Sequence, residues 1–264
     1  CIRREKKNFD VLISKSQSQI NFLQEKRQAL INHAVTKGLD PSVPMKDSGV
    51  EWIGEIPEHW EVTRYKFVCS KIDVGIAEGA THAYVDKNGI PIIRSTNVKP
   101  NKINSDDIIL IAEWFAEKNH SKYLLKNDIV TVRTGYPGIS AVVPEELNMS
   151  QCFTLLCSRL LPRHNPFFFS YALNSISSEE QFQLEGWGAA QINISVPILE
   201  NLFVTKPPLE EENQIAEFLD KQTTQFDNLI SKSKSQIKLL QEKRQAIITS
   251  AVTGKIDVRN GVAA

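Results

Sequence analysis

Residues 226–257 read FDNLISKSKSQIKLLQEKRQAIITSAVTGKID, and residues 9–40 read FDVLISKSQSQINFLQEKRQALINHAVTKGLD. The two segments lie near opposite ends of a chain of 264 residues and agree at 22 of 32 aligned positions without a gap. Such an internal repeat indicates two copies of one structural element, and it is the feature on which the predicted fold depends.

Apolar side chains recur in both copies with the alternating spacing of three and four residues that is typical of a coiled-coil heptad. Equivalent polar residues interrupt both heptads, Ser16 with Ser233 and Arg27 with Arg244. Each copy is therefore predicted to be a helix of about 28 residues, roughly 40 Å long. The predicted helix–helix packing residues are Phe9, Ile13, Ile20, Leu23 and Leu30 in the first copy and Phe226, Ile230, Ile237, Leu240 and Ile247 in the second.

A narrow apolar stripe on a long polar helix needs a partner, because an isolated helix gains little stability from propensity alone. The nearest partner is the other copy of the repeat. If the segment between the copies folds compactly, so that its two ends lie close together, the helices must run antiparallel. We therefore predict an α+β protein, with a mixed α/β head on a long antiparallel two-helix coiled-coil stalk.

The sequence QEKRQA recurs intact at residues 24–29 and 241–246. Packing of the two helices requires only the apolar positions, so identity at surface positions favours two equivalent partner-binding faces. A coiled coil with a purely structural role is the alternative interpretation. The candidate partner-binding residues are Gln24, Lys26, Gln28, Gln241, Lys243 and Gln245.

The segment between the helices has the sequence pattern of a domain that contains both strands and helices. Prolines and glycines mark a loop at residues 41–57, and Trp52 and Trp60 are predicted to anchor it to the head. Proline followed by glutamates at residues 207–212 suits the start of a helix that continues into the second repeat or meets it at a bend. The predicted strands lie within residues 89–98, 107–112, 128–135, 139–143 and 153–161, and the predicted helices within 112–119 and 166–178, where Phe167, Phe168, Phe169 and Tyr171 are expected in the core. The predicted regions are 1–40 for the first helix, 41–205 for the head and 206–264 for the second helix.

Composition excludes several classes of protein. Lys and Arg number 31, as do Asp and Glu, so bulk charge points to neither nucleic acid nor membrane. The chain has no apolar run of about 18 residues and no leader sequence, so we expect a cytoplasmic protein without a membrane partner. Its four cysteines form no CxxC pair, which argues against a disulfide framework and against structural zinc. Because the chain begins with Cys1, we interpret it as a fragment or a processed product.

Motifs of the common catalytic sites are absent from the sequence, including GxxxxGK[ST], GxGxxG, GxSxG and HExxH. Asn165-Pro166-Phe167-Phe168 partly matches the loop with which DNA amino-methyltransferases hold a flipped adenine, but the second proline of that loop is missing. We therefore expect a non-catalytic binding protein that uses no cofactor and no metal.

Several motifs then occur in one order: QEKRQA, SGVEWIGEIPEHW (48–60), LLKNDIVTVRTGYPGISAVV (124–143), GAAQINIS (188–195), PPLEEENQIAEFLD (207–220) and QEKRQA again. In this order the chain resembles the specificity (S) subunits of Type I restriction-modification enzymes, from residue 9 to residue 257. Such subunits usually alternate two target recognition domains with two conserved helical regions. With one head between two helices, the chain looks like the C-terminal half of such a subunit, although residues 1–8 do not match the PPLEEENQIAEFLD segment.

The resemblance implies a non-catalytic subunit that reads a split sequence in double-stranded DNA. It also implies two modification (methyltransferase) subunits bound along the helices, with restriction subunits joining that complex. A chain with one head would supply one half of the target, and pairing with a second copy or with a companion half-subunit would supply the other half.

Base reading needs side chains with paired donors and acceptors, which strand ends and turns of the head offer at residues 94–97, 133–138 and 186–195. The alternative is that Asn97, Gln191 and Asn193 are turn and capping residues. The candidates for base contact are Arg94, Asn97, Arg133, Tyr136, Gln191 and Asn193, and those for phosphate contact are Lys99, Lys102, Lys118 and Lys122.

Charge in the head limits how strongly the chain itself can bind DNA. Residues 41–200 contain 14 Lys and Arg against 19 Asp and Glu, a net charge of −5. An acidic head binds DNA poorly without sequence-specific contacts, so partner subunits are expected to supply most of the phosphate contacts. The rival interpretation is a coiled-coil adaptor whose head binds protein and not DNA.

Overall fold

The computed structural model describes residues 2–185 and 193–253. Its helices are α1 (Ile2–Lys37), α2 (Glu113–Lys118), α3 (Pro166–Leu173), α4 (Ile176–Glu185), α5 (Val196–Asn201) and α6 (Leu209–Val252). Its strands are β1 (Met45–Asp47), β2 (Glu55–Pro57), β3 (Glu61–Arg64), β4 (Cys69–Val74), β5 (Tyr84–Val85), β6 (Ile90–Ile93), β7 (Val98–Lys99), β8 (Lys102–Ile103), β9 (Ile109–Ile111), β10 (Ile129–Thr131), β11 (Ser140–Val142), β12 (Gln151–Cys152), β13 (Leu156–Leu160) and β14 (Phe203–Lys206).

The internal contacts divide the described chain into two compact units. The helical unit consists of the described parts of residues 1–30 and 220–264, and the head unit consists of those of residues 31–219. The predicted division into a first helical region (1–40), a head (41–205) and a second helical region (206–264) stays a prediction.

Both copies of the repeat lie in long helices. The first copy lies in α1, of 36 residues, and the second in α6, of 44 residues. Residues 209–225 and the second repeat form one uninterrupted helix, so the bend that the sequence left open does not occur. Helix α1 ends at Lys37, and Gly38 follows with φ +76°, a conformation that glycine adopts without strain. Gly254 lies outside the described residues.

Two ion pairs show the relative direction of the two helices in the helical unit. Arg244 Nε lies 2.8 Å from Asp10 Oδ1, and Arg27 Nε lies 3.1 Å from Asp227 Oδ1. As the residue number rises along α1, the number of its partner on α6 falls, so the helices run antiparallel, as predicted. The repeat makes Asp10 equivalent to Asp227 and Arg27 equivalent to Arg244. The two pairs are therefore one interaction formed twice, about a local two-fold axis.

The side chains at the heptad positions are buried to different extents in the contact between these helices. Ile20 and Ile230 are buried, and so are the polar residues Ser16 and Ser233. The burial of serine on both helices marks places where the backbones can approach closely without a large apolar side chain between them. The remaining predicted packing residues are partly buried: Phe9, Ile13, Leu23, Leu30, Phe226, Ile237, Leu240 and Ile247.

The head unit is built on two four-stranded sheets, with strand orders β11-β10-β13-β4 and β12-β6-β9-β5. Its pairings are antiparallel except for β12 beside β6. One apolar core, around Ile93, Val130 and Leu155, takes side chains from both sheets, and a second core, around Ile92, Ile111 and Phe115, packs on the sheet β12-β6-β9-β5. Three two-stranded ladders, β1-β2, β3-β14 and β7-β8, complete the described sheet structure of the head.

Each predicted strand segment contains at least one strand, but each strand is shorter than the segment. The helix predicted within 166–178 is divided, because α3 ends at Leu173 and α4 starts at Ile176. Phe168, Phe169 and Tyr171 are buried as expected. The expectation for Phe167 was wrong: its side chain is exposed, because it lies on the outer side of the first turn of α3. Trp60 is fully buried, whereas Trp52 is only partly so.

The PPLEEEN segment ties the start of α6 to the rest of the head. Glu211 Oε2 accepts a hydrogen bond from Trp60 Nε1 at 2.9 Å. Glu212, fully buried, accepts one from the backbone N–H of Asn165 at 2.7 Å, and its other oxygen lies 2.9 Å from His164 Nδ1. Two of the glutamates that the sequence assigns to a helix start therefore also anchor α6, Glu211 to the segment before β3 and Glu212 to the loop before α3.

Within the described chain, no helix combines the length and the apolar character needed to cross a membrane.

Candidate nucleic-acid interface

The turn after β6 holds two of the predicted base contacts. Asn97 is buried; its Oδ1 accepts from the Arg94 backbone N–H at 2.9 Å, and its Nδ2 donates to the Asn104 carbonyl at 3.3 Å. Arg94 donates from Nη2 to the Asp107 carbonyl at 2.9 Å. This arrangement favours the alternative interpretation of Asn97 as a turn residue, since both the oxygen and the nitrogen of its side-chain amide have partners inside the loop.

The next turn, between β7 and β8, carries a pair of lysines. Lys99 and Lys102 face each other across the ladder and are exposed. Asn101 lies in the turn with φ +61°, and its Oδ1 accepts from Ser170 Oγ at 2.9 Å and from Asn174 Nδ2 at 3.0 Å. The hairpin is therefore held against α3, with its two ammonium groups directed to solvent.

Two other predicted phosphate contacts are bound within the head. Lys118 Nζ lies 2.9 Å from Glu78 Oε2, and Lys122 Nζ lies 2.7 Å from Asp73 Oδ2. Partial burial by itself would raise the pKa of Asp73, but the hydrogen bond from Lys122 and the nearby Lys71 hold that pKa below its usual value. Either lysine would have to leave a carboxylate in order to reach a phosphate.

The β10–β11 hairpin presents one of the predicted base contacts to solvent. Tyr136 is 77% exposed at the tip. Gly135 and Gly138 flank it with φ +88° and +92°. A Cβ on Gly138 would lie 2.8 Å from the Phe182 ring of α4, so the hairpin packs against α4 at a distance that only glycine permits.

Arg133 connects this hairpin with the segment before α5. Its Nε donates to the Ile194 carbonyl at 3.3 Å, and the Ile194 N–H donates to the Arg133 carbonyl at 3.0 Å. Asn193, the neighbour of Ile194, is exposed. Sequence-distant candidates are thus brought together at the base of the hairpin. Gln191 lies outside the described residues.

A polar network that sequence reasoning missed joins the two hairpins. The Asn101 N–H donates to the Ser140 carbonyl at 2.9 Å, and Asn174 Nδ2 donates to the same carbonyl at 2.8 Å. Asn101 follows proline in a tight turn, which is a sequence signal for positive φ, but nothing in the sequence predicts its partners on α3. We name the assembled residues Lys99, Lys102, Arg133, Tyr136 and Asn193 the recognition cluster.

The predicted partner-binding residues lie on the helical unit. Gln28 is partly buried, and the others are exposed: Gln24, Lys26, Gln241, Lys243 and Gln245. Lys26 Nζ lies 4.6 Å from the centre of the exposed Phe22 ring. Both QEKRQA segments therefore remain accessible on the antiparallel helix pair.

Among the residues that the structure describes, no three His, Cys, Asp or Glu side chains are grouped as metal ligands. Asn165 of the sequence Asn-Pro-Phe-Phe caps α3: its Oδ1 accepts from the backbone N–H groups of Phe167 and Phe168 at 2.8 and 3.2 Å. Capping of a helix explains this motif without a catalytic role.

Comparison with known proteins identifies the family of this chain. Residues 57–239 match the model of the Type I restriction modification DNA specificity domain. The chain belongs to this family. The specificity subunit of the MjaVIII Type I restriction enzyme of Methanocaldococcus jannaschii is 26% identical over 261 residues, which cover 96% of this chain and 59% of that protein. The EcoKI specificity subunit of Escherichia coli is 25% identical over 211 residues, which cover 77% of this chain and 44% of that protein.

Solved structures of specificity subunits share the fold. The HsdS subunit of Thermoanaerobacter tengcongensis aligns with a TM-score of 0.54 at 16% identity, over 97% of this chain and 57% of that one. A chain solved in work on complex assembly and conformational transition of the type I R-M system aligns with a TM-score of 0.59 at 18% identity, over 95% of this chain and 58% of that one. The chain spans about half the length of the relatives that it matches.

Proposed function

We propose that the chain is the DNA-reading component of a cytoplasmic Type I restriction-modification complex, without catalytic activity of its own. Its head reads one half of a bipartite target, and its helices bind two modification subunits, to which restriction subunits are added. The observation that carries this proposal is the recognition cluster, because it gathers exposed basic, aromatic and amide side chains from three sequence-distant segments within a specificity domain.

The chemistry of the cluster supports DNA reading. Arg133 and Asn193 offer the donor and acceptor groups that discriminate guanine and adenine, and Tyr136 offers an exposed ring beside them. Lys99 and Lys102, without an ion-pair partner among the described residues, suit contacts to phosphate. Lys118 and Lys122 are weaker candidates because each already contacts a carboxylate.

Equivalent exposed apolar residues on the two helices support the binding of two copies of one partner. Leu12 and Leu229 are equivalent in the repeat, as are Phe22 and Leu239, and each of the four is about half exposed. Their heptad positions lie next to one another on the helical wheel, outside the helix–helix contact. The local two-fold axis then repeats one surface, which suits two identical modification subunits.

The experiment combines the purified chain, a cognate modification subunit, S-adenosylmethionine and a library of random DNA sequences. Sequencing of the modified DNA is expected to find methylation only when the chain is present, and only at one class of sequence. Arg133→Ala and Tyr136→Ala should reduce or redirect methylation, while Lys87→Ala, a change at an exposed lysine outside the cluster, serves as the matched control. Methylation that is independent of the chain would contradict the proposal.

Docking on the helices is tested separately. Replacement of Gln24 and Lys26, or of Gln241 and Lys243, by alanine should weaken binding of the modification subunit in size-exclusion chromatography and leave the fold intact. If the chain binds the subunit but never confers sequence dependence, it is an adaptor. A dimer of the chain in light scattering at high concentration would support a second copy as the source of the other half-site. A monomer would exclude self-pairing and would favour a fragment of a longer subunit or a companion half-subunit.

A further inference from the structure

An exposed aromatic surface lies on α2, where the proposed function has no use for it. Trp114 is 57% exposed, and its ring lies 5.9 Å from that of the exposed His82 and 5.6 Å from that of the fully buried Phe115. Tyr84, also exposed, lies on the neighbouring strand β5, which pairs with β9 just before α2. A large apolar side chain that is held this firmly and left in solvent is typical of an interaction surface.

Two carboxylates lie on the same short helix as Trp114. Glu113 and Glu117 are exposed on α2 itself. Glu117 accepts a hydrogen bond from Tyr123 Oη at 3.1 Å. Burial raises the pKa of Tyr123, and the charges of Glu117 and Glu113 raise it further, so both carboxylates lie near this ring. We name His82, Tyr84, Glu113, Trp114 and Glu117 the α2 patch.

A third carboxylate at the edge of the patch is already neutralised. Glu78 accepts from Lys118 Nζ at 2.9 Å and from Asn119 Nδ2 at 3.1 Å. Lys118 is therefore engaged with Glu78, and the charges of Glu113 and Glu117 remain. The patch thus combines an exposed indole ring with an excess of negative charge.

The α2 patch and the recognition turns lie at different ends of β9. Helix α2 follows the last residue of β9, whereas Arg94 contacts the carbonyl of Asp107, before the first residue of that strand. Negative charge repels phosphate, so the patch does not suit DNA. Its chemistry does suit cations, because an arginine or lysine can stack on Trp114 while it pairs with the carboxylates.

We propose that the α2 patch docks a polypeptide segment rich in arginine or lysine that a protein partner presents. Trp114 supplies the apolar contact, since tryptophan is enriched among the residues that dominate binding at protein interfaces. Glu113 and Glu117 select a basic segment over an acidic one. This surface shares no residue with the recognition cluster.

The test uses the full chain and a fluorescein-labelled octapeptide of alternating arginine and glycine. Fluorescence anisotropy is expected to detect binding that weakens by about tenfold or more in Trp114→Ala and in the double variant Glu113→Gln/Glu117→Gln. A glutamate–glycine octapeptide should not bind. Phe67→Ala, which removes an exposed aromatic ring elsewhere on the head, and Glu146→Gln, which removes an exposed carboxylate, are the matched controls.

Equal peptide affinity in Trp114→Ala and the wild type would overturn the proposal. Circular dichroism and the unfolding midpoint establish that the variants are folded. Loss of DNA affinity in Trp114→Ala, or displacement of the peptide by duplex DNA, would instead make the patch a nucleic-acid surface. If the chain self-associates and Trp114→Ala abolishes that self-association, the occupant is a second copy. Each of these results contradicts docking of a basic segment from a partner.

Discussion

At the scale of single residues, the head depends on buried polar contacts that join segments far apart in the sequence. Glu212 and His164 are both buried and lie 48 positions apart. Asp128, also buried, receives two hydrogen bonds of 2.7 Å from the guanidinium of Arg159. Such groups are costly to leave without a partner, so each pair restricts the packing of the elements that carry it.

The variant Glu212→Gln tests the first of these contacts. It keeps the shape of the side chain but removes the charge that faces His164 and the Asn165 N–H. We expect the free energy of unfolding to fall by about 1–3 kcal/mol in urea titrations. Glu210→Gln, at an exposed position two residues earlier, should change it by less than about 0.5 kcal/mol. Equal losses in both variants would show that the anchor is unimportant.

The carboxylate of Asp73 predicts a dependence of stability on acid. Because its pKa is lowered in the folded protein, its contribution is fully present above the pKa of the unfolded chain, near 3.8, and is lost as the pH falls through the lower folded value. Asp73→Asn should therefore lose less stability than the wild type between about pH 4 and pH 2. The measurement is the unfolding midpoint against pH, with Asp86→Asn, at an exposed aspartate of the head, as the control for removal of a carboxylate.

At the scale of elements, the β10–β11 hairpin shows how a loop can be exposed and yet rigidly placed. Its tip carries Tyr136, while Gly138 packs against Phe182 of α4 and Arg133 is joined to Ile194. Side chains on such a support would lose less conformational entropy on binding a partner than side chains on a flexible loop.

Two glycines of this hairpin form a matched pair for a test. Both have positive φ, but only at Gly138 would a Cβ meet another side chain, while at Gly135 nothing lies within 4 Å. We expect Gly135→Ala to cost about 1 kcal/mol from backbone strain, and Gly138→Ala to cost about 1–3 kcal/mol more from the clash with Phe182. Denaturant unfolding measures both. An equal cost for the two variants would mean that α4 does not pack on the hairpin.

The two ion pairs of the helical unit predict a symmetric energetic coupling. Double-mutant cycles for Asp10 with Arg244, and for Arg27 with Asp227, should each give about 0.2–1 kcal/mol. The two values should agree within about 0.5 kcal/mol, because the repeat makes the pairs equivalent. Coupling in one pair and none in the other would be inconsistent with the two-fold arrangement.

At the scale of the whole molecule, charge is divided unevenly along the chain. The head segment 41–200 has a net charge of −5, whereas residues 1–40 carry 8 Lys and Arg against 4 Asp and Glu. The recognition cluster therefore places a few cations on an acidic head. Under the proposed function, affinity for DNA must come from specific contacts or from partner subunits, because the general attraction of an acidic head to phosphate is small.

This distribution predicts weak DNA binding by the chain alone. In fluorescence anisotropy with duplex DNA, we expect a dissociation constant no tighter than about 1 µM at physiological salt, close to that of non-specific binding. Addition of the modification subunit should tighten binding and steepen its dependence on salt, since more phosphates are then contacted. Tight, strongly salt-dependent binding by the chain alone would contradict this division.

The sequence by itself determined the paired helices, because a repeat and a heptad are visible in the order of residues alone, and their antiparallel direction followed on the condition that the middle segment folds compactly. The family was indicated by the resemblance of several motifs that occur in one order. It also located the exposed Arg133–Gly138 turn, since glycine and proline are local signals. Only the tertiary structure decided that the side chain of Asn97 is hydrogen-bonded within its own loop, that Lys118 and Lys122 face carboxylates, and that Trp114 is exposed beside glutamates. Glu78 lies 40 residues from Lys118 and Asp73 lies 49 residues from Lys122, so these contacts are set by packing and have no local signal in the sequence. The partners of Asn97 lie within seven residues, but its burial and the exposure of Trp114 depend on how the rest of the head packs around them.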